Sequence, residues 1–246
     1  MGDFMLILNR GKVKTVLEYT KDQVFIRFED DVTAFEGAKK ESMKDKGSIN
    51  CKISTIIFKR LGESGIKNHW IDTNGLATMR CHKLDIVPLE VVVRNKAAGS
   101  ICRQTTIKKG TEFNEPLVEF HLKDDSKGDP LLTPDRMKLM GYDPYTFISI
   151  TNKVNIELIR LFNLINLDLV DFKIEFGYDK NGELVLADEI SPDSMRLWKA
   201  GTQESFDKDI FREDKGDLLA AYRTILKDLE RLDYLPYLDS EKNKKE

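Results

Sequence analysis

Three short polar segments stand out because each directly follows an apolar, strand-like run. They are 94–100, 123–130 and 188–198, and each mixes charged side chains with Ser or Gly. Loops at strand ends commonly carry binding and catalytic residues, whereas a protein core has no need of such groups. Any one of the three could be a solvated loop. Together they favour a site for an anionic small molecule and a metal-bound nucleotide.

A predicted hairpin brings two carboxylates together. Apolar and polar residues alternate over 170–176, which is typical of a half-buried strand, and 184–190 is the next strand candidate. Asn181-Gly182 between them is a strong signal for a two-residue type I′ turn. With that turn Glu175 faces Asp188, with Cβ atoms about 4.5–5.5 Å apart. Facing like charges destabilise a sheet unless they are neutralised, and Mg²⁺ bound with nucleotide phosphates uses one or two carboxylates.

The same register also predicts the faces on which Lys173 and Glu189 lie. Lys173 shares the face of Glu175 and Asp188, so a phosphate or carboxylate could reach this lysine and the metal together. Glu189 falls on the opposite face, where nothing explains it unless the strand bends. A solvated acidic face or a shifted register would account for the same acids without any metal.

A basic turn over 9–15 is a candidate phosphate site. Gly11 lets the backbone approach a phosphate closely, and Arg10, Lys12 and Lys14 surround it with positive charge. Lys12 and Lys14 alternate with Val13, so both can face one ligand from a single strand. A basic hairpin on an ordinary surface is the alternative.

Composition and missing motifs exclude several classes of protein. The 246 residues suffice for one large or two small domains, and 41% hydrophobic with 33% charged residues indicates a globular chain. A net charge of -3 argues against a nucleic-acid partner bound through bulk positive charge. The Walker, dinucleotide-binding, zinc-helix and nucleophile-elbow motifs are all absent. The three histidines, His69, His82 and His121, are isolated, which favours structural roles.

The cysteines and the hydropathy predict a cytoplasmic protein with no membrane partner. Cys51, Cys81 and Cys102 are widely spaced and form no C-x-x-C pair, so reduced thiols are expected. The N-terminus lacks the features of a signal peptide, and no apolar run reaches the length of a membrane span.

Strands and helices must position these polar segments, and the periodicity predicts an α+β chain. Strands are expected at 13–19, 24–28, 70–71, 76–81, 86–93 and 117–122, with 91–93 in a central strand that is buried on both faces. Helices are expected over 48–61 and 147–165, and another should begin at Thr133-Pro134. An apolar stripe over 218–232 predicts a further helix that packs in the core, with a coiled-coil seam as the alternative.

These residues resemble the SAICAR synthetase (phosphoribosylaminoimidazole-succinocarboxamide synthase) family of purine biosynthesis. The similarity runs from about residue 9 to residue 234, nearly the whole chain. Segment 206–212 adds to the markers that carry it, which are 10–14, 83–88, 91–100, 123–130, 170–177 and 186–198.

The resemblance implies a fold, a reaction and cofactors. The fold would be two-lobed and related to ATP-grasp enzymes, with ATP in the cleft between the lobes. Residues 1–85 would form a β-rich nucleotide-binding lobe, and 86–246 a mixed α/β lobe with the metal and ribonucleotide sites. The chain would be an ATP-dependent, amide-forming C–N ligase that uses Mg²⁺. It would join carboxyaminoimidazole ribonucleotide to L-aspartate and release ADP and phosphate.

The resemblance also implies roles for individual residues. The ATP phosphates would be bound by Arg10, Gly11, Lys12 and Lys14, and the adenine pocket would be lined by His82, Leu84 and Ile86. Glu175 and Asp188 would hold Mg²⁺. The ribonucleotide would be bound by Arg94, Gly99, Ser100 and Arg196, with its phosphate at Arg94 and Ser100. The reacting carboxylate would be surrounded by Lys123, Asp129 and Lys173, while Asp193 and Ser194 are candidates for L-aspartate by position alone.

Two rival functions remain open at this point. A small-molecule kinase would need the same metal pair and lysines but no amine site. A nucleotide-sensing or RNA-binding module would use Arg10, Lys12, Lys14 and Arg94, although the mild acidity argues against RNA. The sequence also leaves open whether the chain forms a homodimer.

Overall fold

The computed structural model describes residues 5–34 and 38–242. Residues 1–4 and 35–37 of the first predicted lobe and 243–246 of the second lie outside the described residues. An antiparallel sheet dominates the first third of the chain. In spatial order its strands are β1 (Ile7–Arg10), β2 (Lys14–Thr20), β3 (Gln23–Phe28), β7 (Thr78–His82) and β6 (Trp70–Thr73). A separate ribbon pairs β4 (Asp31–Ala34) with β5 (Lys39–Ser42).

Helix α1 (Lys46–Glu63) covers this first sheet and confirms the helix predicted at 48–61. Ile53 and Ile57 of α1 are fully buried in one apolar core with Ile26 and Phe28 of β3. Apolar residues at helical spacing therefore meet alternating apolar residues of a strand, as the two periodicities require.

A second, larger sheet carries most of the predicted site residues. Its path is β11 (Leu131–Leu132), β10 (Glu112–Leu122), β9 (Leu89–Lys96), β12 (Leu167–Tyr178) and β13 (Leu184–Ala187), and both β8 (Asp85–Ile86) and β14 (Met195–Lys199) pair with β12. The other helices are α2 (Ser100–Gln104), α3 (Pro134–Leu139), α4 (Pro144–Asn163), α5 (Asp209–Arg212) and α6 (Leu218–Lys242).

Strand β9 is central in this sheet, but it is not buried on both faces. Val91 and Val93 are fully buried in the core, whereas Val92 between them is only half-buried. The prediction for 91–93 was therefore right in position and wrong in burial. One face of the sheet packs on α4, and the other face carries polar side chains.

The predicted helices are present, and their ends follow from capping. Thr133 caps α3 by accepting a hydrogen bond from the Arg136 backbone N–H at 3.2 Å, with Pro134 at the first helical position. Helix α4 begins three residues before the predicted 147, because Asp143 provides another cap and Pro144 fits the first turn.

Helix α6 settles the choice between core packing and a coiled-coil seam. Its residues Leu218, Tyr222, Ile225 and Leu229 are buried in the common core, and the helix packs against α1. The core interpretation is therefore confirmed.

The chain passes from the first sheet to the second between His82 and Asp85, near the predicted boundary. Because α6 returns to the first sheet's helix, the assignment of 1–85 and 86–246 to separate lobes stays a prediction.

The predicted type I′ hairpin between β12 and β13 is wrong by one residue. Five residues, 179–183, connect the strands, and Glu175 pairs with Ala187 instead of Asp188. The Asp179 carboxylate accepts hydrogen bonds from the backbone N–H groups of Asn181 and Glu183, at 2.8 and 2.9 Å. This side chain organises a longer loop than the Asn-Gly pair alone predicts.

The predicted opposite-face position of Glu189 is also wrong. Strand β13 ends at Ala187, and Asp188 has a φ of 64° in the left-handed region. The chain bends there, so Asp188 and Glu189 line the same cavity.

In the part of the chain that the structure describes, no helix combines the length and hydropathy needed to cross a membrane.

Candidate active site between the two sheets

A cavity of about 630 Å³ lies where the β1–β2 hairpin of the first sheet meets the polar face of the second. The hairpin contributes cations and backbone, and the second sheet contributes carboxylates and lysines. The lining residues are Asn9, Arg10, Gly11, Lys12, Val13, Lys14, Val16, Thr33, Glu90, Lys123, Asp129, Lys173, Glu175, Asp188, Glu189, Asp193, Ser194 and Lys208. All of the predicted phosphate, metal and catalytic residues are therefore brought together here.

Lys14 bridges two neighbouring carboxylates in this cavity. Its Nζ lies 2.5 Å from Asp188 Oδ1 and 2.8 Å from Glu189 Oε1. Burial alone would lower the pKa of Lys14, but the two carboxylate charges outweigh it and raise that pKa above its usual value. Burial likewise opposes ionisation of Asp188, yet Lys14 lowers the pKa of this acid to about 2. Both partners are therefore charged at neutral pH.

Glu175 is the second predicted metal ligand. It is only 4% exposed, and Lys123 Nζ lies 2.8 and 2.7 Å from its two carboxylate oxygens. Burial, followed by the negative charge of Asp188, raises the pKa of Glu175. Glu175 and Asp188 therefore repel each other across the cavity although they are not paired in the sheet.

The donor set fits a magnesium ion shared with a nucleotide. Glu175 and Asp188 offer hard oxygen ligands, and their repulsion would be relieved by a cation. No group of three or more His, Cys, Asp or Glu side chains that could hold a metal occurs within 5–34 and 38–242. Mg²⁺ does not need one, because waters and phosphate oxygens usually complete its shell.

The three predicted catalytic residues line the cavity around Glu175. Lys173 Nζ lies 2.5 Å from Glu90 Oε1 and 3.9 Å from Glu175 Oε1. Asp129 has a φ of 46°, and its Oδ1 accepts a hydrogen bond from the Asp124 backbone N–H at 2.8 Å. The loop after β10 is thus folded by the side chain that it presents to the cavity.

The predicted adenine residues lie beside this cavity and are not among its lining residues. Ile86 pairs with Gly177, two residues beyond Glu175 on β12, and is 49% exposed. Leu84 packs over the same glycine, where a Cβ would lie 2.7 Å from the Leu84 Cβ. His82 ends β7 and is exposed. Close packing of Leu84 and Asp85 on β12 therefore requires glycine at 177.

The predicted ribonucleotide residues form a second group, which we call the arginine cluster. It consists of Arg94 and Arg196 with the acids Glu119, Asp171 and Asp209. Arg94 Nη1 and Arg196 Nη1 donate to the same Asp171 oxygen, at 3.2 and 2.8 Å. Burial raises the pKa of Asp171, and the two guanidinium groups oppose that shift.

Gly99 and Ser100 complete the arginine cluster. Ser100 Oγ accepts a hydrogen bond from Arg94 Nη2 at 2.8 Å. Gly99 has a φ of 67°, and a Cβ at this position would lie 2.6 Å from Arg196 Nη2. Glycine therefore leaves room for the Arg196 side chain. All four predicted ribonucleotide residues are adjacent, although none of them lines the cavity.

Strand β12 connects the cavity to the arginine cluster. Asp171, Lys173 and Glu175 alternate with the core residues Phe172 and Ile174, so all three lie on the polar face. The rise of a strand separates Asp171 from Glu175 by about 13 Å, which is the scale of a nucleotide. One substrate could therefore reach both groups of charges.

Both residues predicted by position for L-aspartate, Asp193 and Ser194, make hydrogen bonds within the protein. Asp193 lines the cavity, but its carboxylate is buried between Lys46 Nζ at 2.5 Å and Tyr222 Oη at 2.7 Å. Ser194 Oγ donates to the Ser191 carbonyl oxygen at 3.1 Å. Lys208 is about nine-tenths buried and also lines the cavity. The sequence analysis did not name this lysine as a site residue, although it used segment 206–212 as evidence for the family resemblance.

Other site residues were missed because only the tertiary structure brings them in. Glu90 and Lys46 had no local signal, since each finds its partner far along the chain. Asp171 and Glu119 look like ordinary surface acids on strands until Arg94 is placed between them.

Comparison with known proteins gives this geometry a family. A model of the SAICAR synthetase family matches residues 7–229. This chain belongs to the SAICAR synthetase family. It is 47% identical over 236 residues to the phosphoribosylaminoimidazole-succinocarboxamide synthase of Prochlorococcus marinus subsp. pastoris, covering 92% of this chain and 98% of the relative.

Solved structures of SAICAR synthetases have the same fold. One, described as a Type-2 SAICAR synthetase in complex with ADP, has a TM-score of 0.88 and 44% identity, over 90% of this chain and 96% of that one. A Type-1 crystal structure from Pyrococcus horikoshii OT3 has a TM-score of 0.85 and 43% identity, over 88% and 97% of the two chains. The predicted family and fold class are confirmed.

The predicted activity is confirmed at the level of the family. SAICAR synthetases are ligases of purine biosynthesis that use ATP to join carboxyaminoimidazole ribonucleotide with L-aspartate. The rival kinase and RNA-binding interpretations do not describe this family. ADP in a relative of the same fold supports the use of ATP.

Proposed function

We propose that the cavity between the two sheets is where this chain performs the SAICAR synthetase reaction. MgATP would bind at the β1–β2 hairpin and the Glu175–Asp188 side, while the ribonucleotide would lie along the polar face of β12. The observation that carries this proposal is the row Asp171, Lys173 and Glu175, which joins the arginine cluster to the acidic end of the cavity. Residues 1–85 would then be the nucleotide-binding lobe, and 86–246 would carry the metal and ribonucleotide sites.

The β1–β2 hairpin would hold the ATP phosphates. Arg10, Gly11, Lys12 and Lys14 line the cavity from one side, opposite the carboxylates. Lys14 would exchange its contacts with Asp188 and Glu189 for phosphate oxygens when the nucleotide arrives. The adenine would continue past Glu175 toward His82, Leu84 and Ile86, where Ile86 offers exposed apolar surface.

Glu175 and Asp188 would hold Mg²⁺. The ion would supply neutralisation of the triphosphate charge that otherwise opposes transfer of the γ-phosphoryl group. Lys123 and Lys14, which now neutralise these two acids, would then be available to the substrates.

The ribonucleotide would bind with its phosphate at the arginine cluster and its carboxylate near Lys123 and Lys173. Arg94, Gly99, Ser100 and Arg196 would receive the phosphate, since arginine forks match phosphate oxygens. Asp171 fixes both guanidinium groups in place beforehand. The substrate would therefore enter a site whose cations need little rearrangement.

The chemistry requires activation of a carboxylate, because oxide is a poor leaving group. A carboxylate oxygen would attack the γ-phosphorus of ATP, so that ADP leaves and an acyl phosphate forms. The amine of L-aspartate would then attack the carbonyl carbon, and phosphate would leave with the transferred oxygen. Lys123 and Lys173 would balance the charge that builds up, and Asp129 would accept the amine proton.

L-Aspartate would bind on the side of the cavity formed by Asp193, Ser194 and Lys208. The buried Lys208 ammonium suits a carboxylate of this substrate. Asp193, held by Lys46 and Tyr222, would face its amine.

Location and assembly belong to the proposal as well. All three cysteines are free, with Cys51 and Cys81 buried, which agrees with the reducing cytoplasm. Exposed apolar side chains on the α3–α4 surface, such as Leu139 and Tyr145, offer a contact for a homodimer. Sedimentation of the purified protein over a range of concentrations measures the assembly directly.

A coupled assay of ADP release, with each substrate omitted in turn, tests the proposed reaction. Full activity should require ATP, Mg²⁺, carboxyaminoimidazole ribonucleotide and L-aspartate together. ADP release that is unchanged without L-aspartate would favour a kinase instead. Oxygen-18 in the ribonucleotide carboxylate should appear in the released phosphate, and its absence there would exclude the acyl phosphate.

A further inference from the structure

The bend at Asp188 decides where two of the cavity's acids lie. In a strand that continued past Ala187, neighbouring residues would face opposite sides of the sheet. Because Asp188 is in the left-handed region, the carboxylates of both Asp188 and Glu189 reach Lys14 in the cavity. A residue other than glycine adopts this conformation at an energetic cost, so surrounding contacts must maintain it.

Two buried side chains from outside the cavity contact the backbone of this bend. His69 Nε2 lies 3.0 Å from the carbonyl oxygen of Asp188, and His69 is 3% exposed. Ser54 Oγ, on helix α1, accepts a hydrogen bond from the Ile190 backbone N–H at 3.0 Å. The bend is therefore held on both sides, once through a carbonyl group and once through an N–H group.

The position of His69 is itself fixed by neighbouring structure. Its backbone N–H donates to the Leu186 carbonyl oxygen at 2.9 Å, so the segment before β6 follows the end of β13. The Phe58 ring of α1 packs edge-on against the imidazole, with ring centroids 5.2 Å apart. The imidazole therefore meets the bend from a constrained direction.

The chemistry of the contact determines the tautomer of His69. A carbonyl oxygen only accepts hydrogen bonds, so Nε2 must carry the proton. His69 thus acts as a fixed hydrogen-bond donor to the Asp188 backbone.

We propose that His69 and Ser54 are positioning residues that maintain the left-handed bend and so direct the carboxylates of Asp188 and Glu189 into the cavity. This inference rests on the proposed function, in which Asp188 is a magnesium ligand. Neither residue lines the cavity, and both contact the backbone of 188–190. Partners that orient metal ligands commonly change metal affinity or activity when they are removed.

The test compares His69→Leu, which removes the donor, with His69→Gln, which keeps a side-chain N–H at about the same reach. Mn²⁺ affinity in the presence of ADP, followed by electron paramagnetic resonance, should fall about tenfold or more in His69→Leu. His69→Gln should recover most of that loss, and kcat should follow the same order. The KM for the ribonucleotide should hold steady, because the arginine cluster is separate.

Matched variants separate positioning from general damage to the core. Ser54→Ala should weaken Mn²⁺ binding in the same direction, and it carries the test if His69→Leu does not fold. Ile57→Val, in the core face of the same helix with no bond to the bend, should leave Mn²⁺ affinity unchanged. A crystal structure of His69→Leu should show Asp188 outside the left-handed region.

Two results would overturn the proposal: an unchanged bend in His69→Leu, or equal losses in the Leu and Gln variants. Failure of the metal assignment gives a different pattern. In that case Asp188→Asn would keep full Mn²⁺ affinity, and the crystal structure of His69→Leu would still decide the role of His69.

Discussion

The two charged groups on the polar face of the second sheet differ in how tightly their cations are held. In the arginine cluster, Arg94 and its partner Asp171 have side chains that are each 5% exposed, and Arg94 also contacts Glu119 and Ser100. At the cavity end, Lys123 is 47% exposed and Lys173 is 35% exposed, and each meets its carboxylates through a single ammonium group. The guanidinium group of Arg94 is thus buried and held by several partners, whereas the ammonium groups at the cavity end are partly exposed.

This difference matches the two tasks that the reaction sets. Recognising a phosphate that does not react favours planar guanidinium forks prearranged by buried acids. A carboxylate that becomes an acyl phosphate and then an amide changes its charge repeatedly, which flexible ammonium groups can follow. In the proposed binding mode, lysine at the reacting end and arginine at the recognition end therefore follow from the chemistry.

Removing a cation from the arginine cluster should have the largest effect on the fold. Arg94→Ala takes the guanidinium from Glu119 and leaves the buried Asp171 with Arg196 as its remaining cation, so we expect a loss of about 3 kcal/mol in the free energy of unfolding. The KM for the ribonucleotide should rise more than the KM for ATP. Urea unfolding and steady-state kinetics measure these effects.

A matched substitution sharpens the role of Arg94. Arg94→Lys keeps the charge but loses the fork, so it should recover only a small part of both losses. If the KM for ATP rises more than the KM for the ribonucleotide, the assignments of the two sites are reversed.

At the acidic end, the main effect should fall on turnover. Asp188→Asn keeps the size of the side chain but removes the charge that Glu175 opposes across the cavity. We expect kcat to fall on the order of 100-fold or more, while the melting temperature changes little. The activity of this variant as a function of Mg²⁺ concentration provides the measurement. Activity with the wild-type Mg²⁺ dependence would refute the role as a metal ligand.

Lys123 should show the contrast within a single variant. Lys123→Ala removes a half-exposed ammonium, and Lys173 Nζ stays 3.9 Å from the buried Glu175 carboxylate, so we expect a loss of only about 1 kcal/mol in the free energy of unfolding. Its kcat should nevertheless fall about tenfold or more, because the charge that builds up near the reacting carboxylate loses a partner. Loss of stability as large as in Arg94→Ala would show that the cavity end is as rigid as the arginine cluster.

The pH dependence of stability next to the arginine cluster should reflect one buried carboxylic acid. Asp207 is fully buried and accepts hydrogen bonds from the Leu197 and Asp209 backbone N–H groups, at 2.8 and 2.7 Å. Burial, followed by the charge of Asp209, raises the pKa of Asp207 to about 7, and the two backbone N–H groups and then Arg196 oppose this shift. Tyr222 also interacts electrostatically with this acid.

The sign of that pH dependence follows from proton binding. Between pH 3.8 and about 7 the folded protein holds a proton on Asp207 that the unfolded chain has lost. The contribution of Asp207 to stability therefore falls as the pH rises through this range, and it is constant above it. Asp207→Asn should lack this slope, so the difference in the free energy of unfolding between wild type and variant should change with pH between 3.8 and about 7. Identical slopes in both proteins would contradict the raised pKa.

Local patterns predicted the elements well but not their junctions. The helices α1, α4 and α6 follow from apolar residues at helical spacing, and α3 follows from a capping residue with proline. The register of β12 and β13 was missed because the Asp179 side chain bonds two backbone N–H groups and lengthens the loop. The position of Glu189 was missed because a left-handed residue interrupts the alternation.

The sequence predicted those candidate site residues whose type and local pattern indicate a chemical role. It did not predict residues whose role depends on contacts far away along the chain. The basic hairpin, the acids Glu175 and Asp188, and Arg94 could be named from the sequence and the family resemblance. Lys46 and His69 could not, because their contacts lie 147 and 119 residues away along the chain. Such pairings are set by the packing of whole elements, which no local window contains.

The C-terminal helix α6 has a consequence for biosynthesis of the molecule. It packs against α1 and supplies Tyr222, whose hydroxyl group donates to Asp193 beside the cavity. During translation, the first sheet and α1 emerge from the ribosome long before α6. The apolar face of α1 can therefore be covered by α6 only late in translation, and the core beside the cavity is completed by a segment made long after α1.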